Sequence, residues 1–328
     1  MSLTKQQALE MFNSDDLIGI GMEADAVRRR LHPEGVVSYT IDGRINYGSS
    51  ADNADFEPIC DRIADIIAMG GTGVMLEGEA SSTQTIAWFD RLFRRIKERF
   101  PALWLHSLSA SEILAIAQQS GMTAQDTIAR LRDAGLDSIP GDDAGILDDA
   151  VQHQGARVKW RTEDWLAVHR AAHGLGMQTT ATMMFGTGET FEHRMNHLEA
   201  VRQLQEETGG FASFTPWSFA PQHFAPQRFA PRGSALNGFE EATAVEYLKT
   251  LAISRMYLSN VENVQSHLET QGLKVLQVGL RFGGNDVGSV LFAEGANAAT
   301  EEQVRQVIRD AGFKPVQRDT LYRTMFLN

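Results

Sequence analysis

The chain has 328 residues, 43% of them hydrophobic, and a formal net charge of −12, which supports one large or two ordinary globular domains and excludes disorder as the main state. Its acidic balance argues against a general nucleic-acid-binding surface. With Cys60 as its single cysteine, the chain cannot form an internal disulfide. It also lacks the three or four thiolates that an iron–sulfur cluster or a structural zinc site usually needs.

The first residues are polar and helical in pattern, without the basic stretch and apolar run of a signal peptide. No apolar run approaches the length that crosses a membrane. We therefore expect a cytoplasmic protein that does not bind membranes.

Short apolar runs alternate with longer segments of helical periodicity, a pattern typical of parallel β/α units. Two helices, 4–12 and 24–31, are predicted before the first strand. The predicted strands are 36–41, 73–77, 103–107, 138–139, 179–184, 211–215, 263–265 and 277–282. The predicted helices between them are 56–69, 83–100, 111–120, 123–134, 162–175, 191–208 and 243–259. Eight strands predict a (β/α)₈ TIM-type barrel over 36–328, preceded by an N-terminal helical extension over 1–35.

Residues 219–233 contain three copies of a five-residue unit, FAPQH, FAPQR and FAPRG. A proline in every unit prevents a continuous helix and favours extended structure. Because the repeat follows the sixth predicted strand, it is either a lid over the barrel or a local duplication tolerated in a surface loop.

Several long motifs follow one another along the chain. They are RINY at 44–47, HSLSASEI at 106–113, RLRDAGLDSIPG at 130–141, HGLGMQTTATMMFG at 173–186, LQEETGGFASFTPWSF at 204–219 and TQGLKVLQVGLRFGGNDVGS at 270–289. In this order they resemble the radical S-adenosylmethionine (SAM) enzymes of futalosine-route menaquinone biosynthesis. The similarity is to dehypoxanthine futalosine cyclase-like members, which are related to aminofutalosine synthase.

The resemblance fails most clearly at the loop after the first strand. Members of that family carry C-x-x-x-C-x-x-C directly after the first-strand motif, where three thiolates hold a [4Fe–4S] cluster. Residues 48–55 of this chain read GSSADNAD, which is shorter and contains no cysteine. Cys60 falls on the apolar face of a predicted helix and reads as a core residue. We therefore expect the family's fold and pocket without its cluster or its radical chemistry.

The turns that resemble the family's binding motifs predict a site for SAM or a purine-type nucleoside. The predicted cofactor-binding residues are Tyr47, Glu77, Gly78, Glu79, Ser107, Ser109, Glu112, Asn285 and Asp286. Some have a simpler interpretation, because Ser109 and Glu112 form the pattern of a helix capping box. The two glutamates after the second strand are also explained as solvated turn residues.

A second set of residues at predicted strand ends is assigned to the substrate. It consists of Asp142, Asp143, Phe185, Thr187 and Trp217. Thr187 replaces a histidine of the related enzymes, so no role carried by that histidine is inherited. Together these residues predict an acidic and aromatic opening, suited to a cationic or nucleoside-like ligand.

His267 and Glu189 are the predicted catalytic residues. An unperturbed histidine titrates near pH 6.5, which suits proton transfer, although a hydrogen-bonded structural histidine explains His267 equally well. His193 and His197 are spaced i, i+4 after Glu189, a geometry capable of binding a divalent metal. We favour a polar helix face instead and predict no metal.

Three hypotheses follow. The first is a relative of the radical SAM enzymes that lacks the cluster, binds SAM or a purine-type nucleoside, and catalyses a non-radical reaction. The alternative is an inactive pseudoenzyme or regulatory partner of a genuine radical SAM enzyme. For the assembly, a homodimer and a pairing with a menaquinone-pathway enzyme are both left open. A metal-dependent isomerase or hydrolase is a third, weaker hypothesis.

Overall fold

The computed structural model describes residues 3–50, 55–78, 84–152, 161–219, 242–292 and 297–323. Its helices are α1 Lys5–Asn13, α2 Leu17–Leu31, α3 Glu57–Ala68, α4 Ile86–Arg99, α5 Ala110–Ser120, α6 Ala124–Ala134, α7 Asp149–Gln152, α8 Thr162–Gly174, α9 Phe191–Thr208, α10 Ala244–Tyr257, α11 Leu268–Gly279 and α12 Glu301–Asp310. Its strands are β1 Val36–Thr40, β2 Gly43–Asn46, β3 Gly73–Glu77, β4 Trp104–Leu105, β5 Thr179–Phe185, β6 Phe211–Ser218, β7 Asn263–Val264, β8 Asp286–Ser289 and β9 Lys314–Gln317. Within the described ranges, no helix is both long and apolar enough to cross a membrane.

Many helices begin at a threonine or aspartate that the sequence places just before the helical pattern. The N-cap residues with a side-chain oxygen that accepts a backbone N–H are Thr4, Asp16, Thr123, Thr190, Thr243 and Thr300. Such caps satisfy backbone donors that have no partner within the helix. The Asp16 cap explains why α2 begins before the predicted residue 24.

The strands form three parallel three-stranded sheets, with strand orders β8-β1-β9, β2-β3-β4 and β5-β6-β7. Two isolated bridges connect strand ends outside these sheets, His106 with Ser138 and Gln265 with Asp286. The backbone N–H of Thr180 also donates to the carbonyl of Ile139 at 3.3 Å. The chain therefore has an α/β fold built on parallel strands.

Three features of the strand prediction need correction. The observed first strand, β1, ends at Thr40, and a separate strand, β2, begins after two residues. The predicted strand 277–282 is wrong, because those residues end α11 and form the turn after it, while the next strand is β8. Leu276 and Leu280 are both buried, and their i, i+4 spacing suits a helix. Strand β9 and helices α7, α11 and α12 were not predicted.

Helix α3 presents an apolar face to the core. Ile59, Cys60 and Ile63 are buried there, with at most 2% of their surface exposed. Cys60 is a free thiol within the main hydrophobic cluster. Its packing agrees with the predicted core role.

Candidate functional site

A cavity of about 220 Å³ lies among the strands. Its lining comes from β1, β2, β3, β5, β6 and β8 and from the segments after β4, β7 and β9. The polar and aromatic lining residues are Thr40, Asp42, Arg44, Glu77, His106, Asp142, Thr180, Thr182, Ser213, Thr215, Trp217, Gln265, His267, Glu269, Ser289, Phe292, Arg318, Thr320 and Tyr322. A concave site of this kind, formed by many elements, is the default candidate for ligand binding.

An ion cluster lies at one side of the cavity. The guanidinium of Arg44 donates to both carboxylate oxygens of Glu269, at 3.1 and 3.2 Å, and its Nε lies 3.2 Å from Glu77 Oε2. The same guanidinium stacks 4.5 Å from the ring centre of Phe292. Two of the acids that line the cavity therefore already have a cation, so the expected acidic opening is neutralised in part.

His267 lies beside this cluster, at the N-cap of α11. Its Nδ1 is 3.0 Å from Thr270 Oγ1, its Nε2 is 3.9 Å from Glu269, and its ring centre is 5.9 Å from that of Trp217. Burial lowers the pKa of His267 to about 4. The imidazole is therefore neutral at pH 7 and suited to accepting a proton or hydrogen bond rather than to acting as an acid.

Asp142 and Asp143 follow the bridge residue Ser138 and have different surroundings. Asp142 lines the cavity. Asp143 accepts from the backbone N–H of Ser111 at 2.7 Å and from Trp165 Nε1 at 3.1 Å. Burial, together with the charge of Asp142, raises the pKa of Asp143 to about 6. Of this predicted pair, only Asp142 is placed to meet a ligand directly.

Side chains with hydroxyl and amide groups line the interior between these charged groups. Thr215 Oγ1 donates to Gln265 Oε1 at 2.9 Å, and Thr182 Oγ1 donates to the carbonyl of Gly141 at 2.6 Å. Thr180 Oγ1 lies 3.4 Å from His106 Nε2. Burial lowers the pKa of His106 to about 4, so this histidine is also neutral at pH 7. The interior offers several neutral donors and acceptors.

Other predicted cofactor-binding residues lie outside the cavity lining. The hydroxyl of Tyr47 donates to Glu112, and its ring packs on Trp88 and Phe89. Glu112 also completes the capping box of Ser109. Ser107 is buried and accepts from the backbone N–H of Leu76 at 3.0 Å. These contacts favour the capping and core interpretation of this group.

Asn285 and Asp286 are buried and held by internal partners. Asn285 Oδ1 accepts from Arg255 Nη2 at 2.6 Å and from the backbone N–H of Val264 at 2.9 Å. Asp286 accepts from Arg318 and from the hydroxyl of Ser38. Neither residue lines the cavity, and their contacts favour a structural role over the predicted ligand binding.

Glu189 is also engaged internally. Its carboxylate accepts from the backbone N–H groups of Gly186 and Thr187, each at 2.8 Å, and pairs with Arg194 at 2.7 Å. Although burial acts to raise it, Arg194 and these N–H groups hold the pKa of Glu189 below its usual value. Phe185 lies under the guanidinium of Arg194, 4.4 Å from it. Glu189, Thr187 and Phe185 thus form a structural group outside the cavity lining.

The spaced histidines of α9 do not form a joint site. His193 caps the start of the helix, whereas His197 is buried and its Nδ1 accepts from the backbone N–H of Leu147 at 3.0 Å. Burial lowers the pKa of His197 to about 3. Across the described ranges, no group of three or more His, Cys, Asp or Glu side chains is arranged to hold a metal ion.

Two predictions concern residues outside those described. Glu79 and residues 220–233 of the repeat lie outside the described residues, and Phe219 is the last residue described before that repeat segment. Gly78 is described, and a side chain there would meet the ring of Tyr47 at 2.7 Å. Its glycine is therefore explained by packing.

Sequence reasoning missed Arg44, Glu269, Gln265 and the residues after β9. A usable signal was present on two strands, where inward residues alternate with period two. Thr180 and Thr182 alternate on β5, and Ser213, Thr215 and Trp217 alternate on β6. Polar residues at every second position of a buried strand indicate a polar interior. The contribution of the segment after β9 had no comparable signal.

The chain is similar in sequence to one protein-family model and to several known proteins. Residues 208–327 match the family model described as the CofH/MqnC C-terminal region. A cyclic dehypoxanthine futalosine synthase of Halalkalibacterium halodurans is 33% identical over 98% of this chain and 90% of its own length. A 5-amino-6-(D-ribitylamino)uracil–L-tyrosine 4-hydroxyphenyl transferase of Methanothermobacter thermautotrophicus is 33% identical over 98% of this chain and 94% of its length. An aminodeoxyfutalosine synthase of Streptomyces coelicolor is 30% identical over 98% of this chain and 90% of its own length.

Among solved structures, methylornithine synthase (PylB) superposes with a TM-score of 0.70 at 16% identity. The match covers 96% of this chain and 94% of that chain. At this identity the likeness concerns the fold alone.

Proposed function

The chain belongs to the protein family that includes cyclic dehypoxanthine futalosine synthase and aminodeoxyfutalosine synthase, and from this premise we propose that it binds a nucleoside-like molecule in the cavity and acts on it without an iron–sulfur cluster. The resemblance predicted from the sequence motifs is confirmed by these relatives. The family contains proteins with differently named activities, so membership alone does not specify the reaction.

We propose further that the parallel strands close into a TIM-type barrel around this cavity. Support comes from the two bridges and the Thr180–Ile139 hydrogen bond between the sheets, and from the fold shared with PylB. In such a barrel, ligands bind at the carboxyl ends of the strands. Glu77 and Trp217 stand near the ends of their strands, and Asp142 and His267 lie in segments that follow strand residues.

The residues present do not fit a [4Fe–4S] cluster. The chain has one cysteine, which lies in the core on α3, and burial raises the pKa of its thiol. A cluster bound by protein thiolates normally requires more ligands than this. The alignment with the H. halodurans relative spans 345 positions, more than the 328 residues of this chain, so the relative has extra residues opposite gaps. We place one such gap at 48–55.

The observation that carries the proposal is the combination of an aromatic residue with a neutral polar interior. The ring of Trp217 lines the cavity and offers a face on which a base can stack, and the neutral side chains of Thr215 and Gln265 line the same cavity. His267 is the proposed proton acceptor, and Asp142 the proposed carboxylate partner of the ligand. Glu77 is paired with Arg44, so the ammonium group of SAM must compete with that guanidinium. A neutral purine nucleoside therefore suits the cavity better than SAM does.

The test is a calorimetric titration of wild type, Trp217→Ala and Trp217→Phe with adenosine and with SAM. We expect saturable adenosine binding by wild type, weakened at least tenfold in Trp217→Ala and less than threefold in Trp217→Phe, because phenylalanine retains a stacking ring. Equal affinity in all three proteins would contradict the site. The absence of binding to wild type would contradict the proposed function.

One observation favours the second candidate, a pseudoenzyme or regulatory partner. Asn285, Asp286 and Glu189, which stand in turns shared with the related enzymes, are occupied by internal contacts. Turns whose side chains only stabilise the fold are what we expect in a protein that has lost its catalytic activity. Pull-down from native cells, followed by assay of the isolated protein, separates the two candidates: a protein active alone argues against the pseudoenzyme.

A further inference from the structure

The chain returns to the cavity after its last described strand. Residues 318–322, which we name the C-terminal floor, follow β9 and supply Arg318, Thr320 and Tyr322 to the lining. The floor begins where the backbone N–H of Arg318 donates to the carbonyl of Tyr39 on β1 at 2.9 Å. The floor also lies against Gly73, the first residue of β3, because a side chain at Gly73 would meet Thr320 Oγ1 at 2.5 Å. The floor therefore lies beyond the carboxyl ends of β1 and β9 and against the amino ends of β3 and β8.

The floor is held by polar contacts on both sides. Arg318 pairs with Asp286 of β8, and Thr320 Oγ1 donates to Asp42 Oδ2 at 3.1 Å. Asp319 Oδ1 accepts from the backbone N–H groups of Leu321 and Arg323, each at 2.9 Å. These contacts fix the floor in one conformation, so its side chains are preorganised toward the cavity.

Tyr322 is the unusual residue of this segment. Its φ of +61° lies in the left-handed region that non-glycine residues rarely adopt. Its hydroxyl accepts from Gln265 Nε2 at 2.9 Å, and its ring lies 3.7 Å from the guanidinium carbon of Arg318. Backbone conformations of this kind persist where the surroundings enforce them, and they cluster at ligand sites. The strained turn brings the tyrosine hydroxyl into the cavity lining.

Beside the Arg318 guanidinium, which is paired with Asp286, neutral side chains suited to hydroxyl groups line the cavity with Tyr322. Ser213, Thr215, Gln265 and Thr320 share the lining with it, and each offers both hydrogen-bond donors and acceptors. A hydroxyl group of a ligand also donates and accepts, so it can extend the hydrogen-bond chain in which Thr215 donates to Gln265 and Gln265 donates to Tyr322. This end of the cavity thus differs from the aromatic end at Trp217.

We propose that the C-terminal floor is a specificity element, in which Tyr322 and Gln265 bind the hydroxyl-bearing end of the ligand. The proposal rests on ligand binding in this cavity, as proposed above, and adds the ligand's orientation. The sugar-like end points to the floor and the planar end to Trp217. Sites built to bind hydroxyl groups reject analogues that lack them.

The experiment compares wild type with Tyr322→Phe, which removes only the hydroxyl. Adenosine, 2′,3′-dideoxyadenosine and D-ribose are the probes, titrated by calorimetry. We expect wild type to prefer adenosine to the dideoxy analogue at least tenfold. Tyr322→Phe should lower adenosine affinity about tenfold and leave the dideoxy affinity unchanged. The matched control is Tyr257→Phe, whose hydroxyl donates to Glu199 away from the cavity and whose loss should alter no affinity.

The outcomes separate this inference from the proposed function. Equal affinity of wild type for adenosine and its dideoxy analogue, or an equal loss for both in Tyr322→Phe, would overturn the inference while leaving the nucleoside site intact. Binding of ribose that depends on Tyr322, without binding of either nucleoside, would support the floor and contradict the nucleoside proposal. A wild type that binds none of the three probes overturns both.

Discussion

The guanidinium of Arg318 donates to both carboxylate oxygens of Asp286, with Nε–Oδ2 and Nη2–Oδ1 distances of 2.5 and 2.8 Å. The side chains are 4% and 0% exposed, respectively. The pair joins the C-terminal floor to the start of β8. Because both side chains are buried, removing either one would leave the other charge buried without its partner.

Removing one member of this pair should destabilise the protein strongly. Asp286→Ala leaves the Arg318 cation buried without its carboxylate, and we expect a loss of about 3–5 kcal/mol in the free energy of unfolding. Urea unfolding followed by circular dichroism measures it. The control, Glu302→Ala, breaks an exposed pair with Arg309 and should cost at most about 1 kcal/mol. Similar losses for both variants would contradict a special role for the buried pair.

Stability should fall in mild acid because of buried histidines. The pKa of His197 is lowered by burial to about 3, whereas the unfolded chain has a pKa near 6.5. Between these values the unfolded state binds more protons, so the contribution of His197 is complete above about pH 6.5 and declines as the pH falls toward 3. Asp143, with its raised pKa, acts in the opposite direction, so the contribution of His197 must be isolated with a variant.

His197→Gln supplies that comparison. Its unfolding free energy should fall less steeply between pH 7 and pH 5 than that of wild type, by up to about 1.4 kcal/mol per pH unit. Urea titrations at several pH values give both slopes. Parallel curves would show that His197 does not contribute to the acid sensitivity.

The sequence predicted much of the fold because periodicity reports burial directly. Helix α9 was predicted with its observed bounds, since Thr190 marks its start and Gly209 its end. The error at 277–282 arose because a short apolar run fits a strand or a helix equally well when its partners are unknown. Strand β9 is short and begins with Lys-Pro, so its local pattern is weak, and it is defined by pairing with β1.

The candidate site was less predictable. Glu77, Asp142, Trp217 and His267 were predicted and line the cavity. Asp286 was not distinguishable from a ligand-binding residue, because its partner Arg318 is 32 residues away in sequence. Long-range ion pairs leave no local pattern, so a charged residue at a strand end looks the same whether it meets a ligand or another side chain.

Arg44 should control whether the cavity prefers neutral or cationic ligands. Arg44→Gln removes the cation shared by Glu77 and Glu269, leaving two carboxylates to attract a positive group. We expect the affinity for SAM relative to adenosine to rise about tenfold, as measured by calorimetry. Arg309→Gln, on the exposed face of α12, is the charge-matched control. An unchanged ratio in Arg44→Gln would show that these acids do not meet the ligand.

Cys60 should behave as a core residue. Because the thiol is buried and its pKa is raised, we expect no reaction with a thiol reagent in the folded protein and complete reaction in denaturant. Cys60→Ala should lower stability by about 1 kcal/mol. Iron retained after anaerobic treatment with iron and sulfide should be equally low in both proteins. Iron that is lost specifically in Cys60→Ala would contradict the core assignment.

Nucleoside binding in the cavity should not depend on a cluster. The most direct measurement is the adenosine affinity of one preparation, divided into a chelator-treated portion and a portion treated anaerobically with iron and sulfide, with iron determined in both. We expect the same dissociation constant in both portions and far less than one iron per chain. Adenosine binding that appears only after the protein has acquired several irons per chain would contradict this expectation.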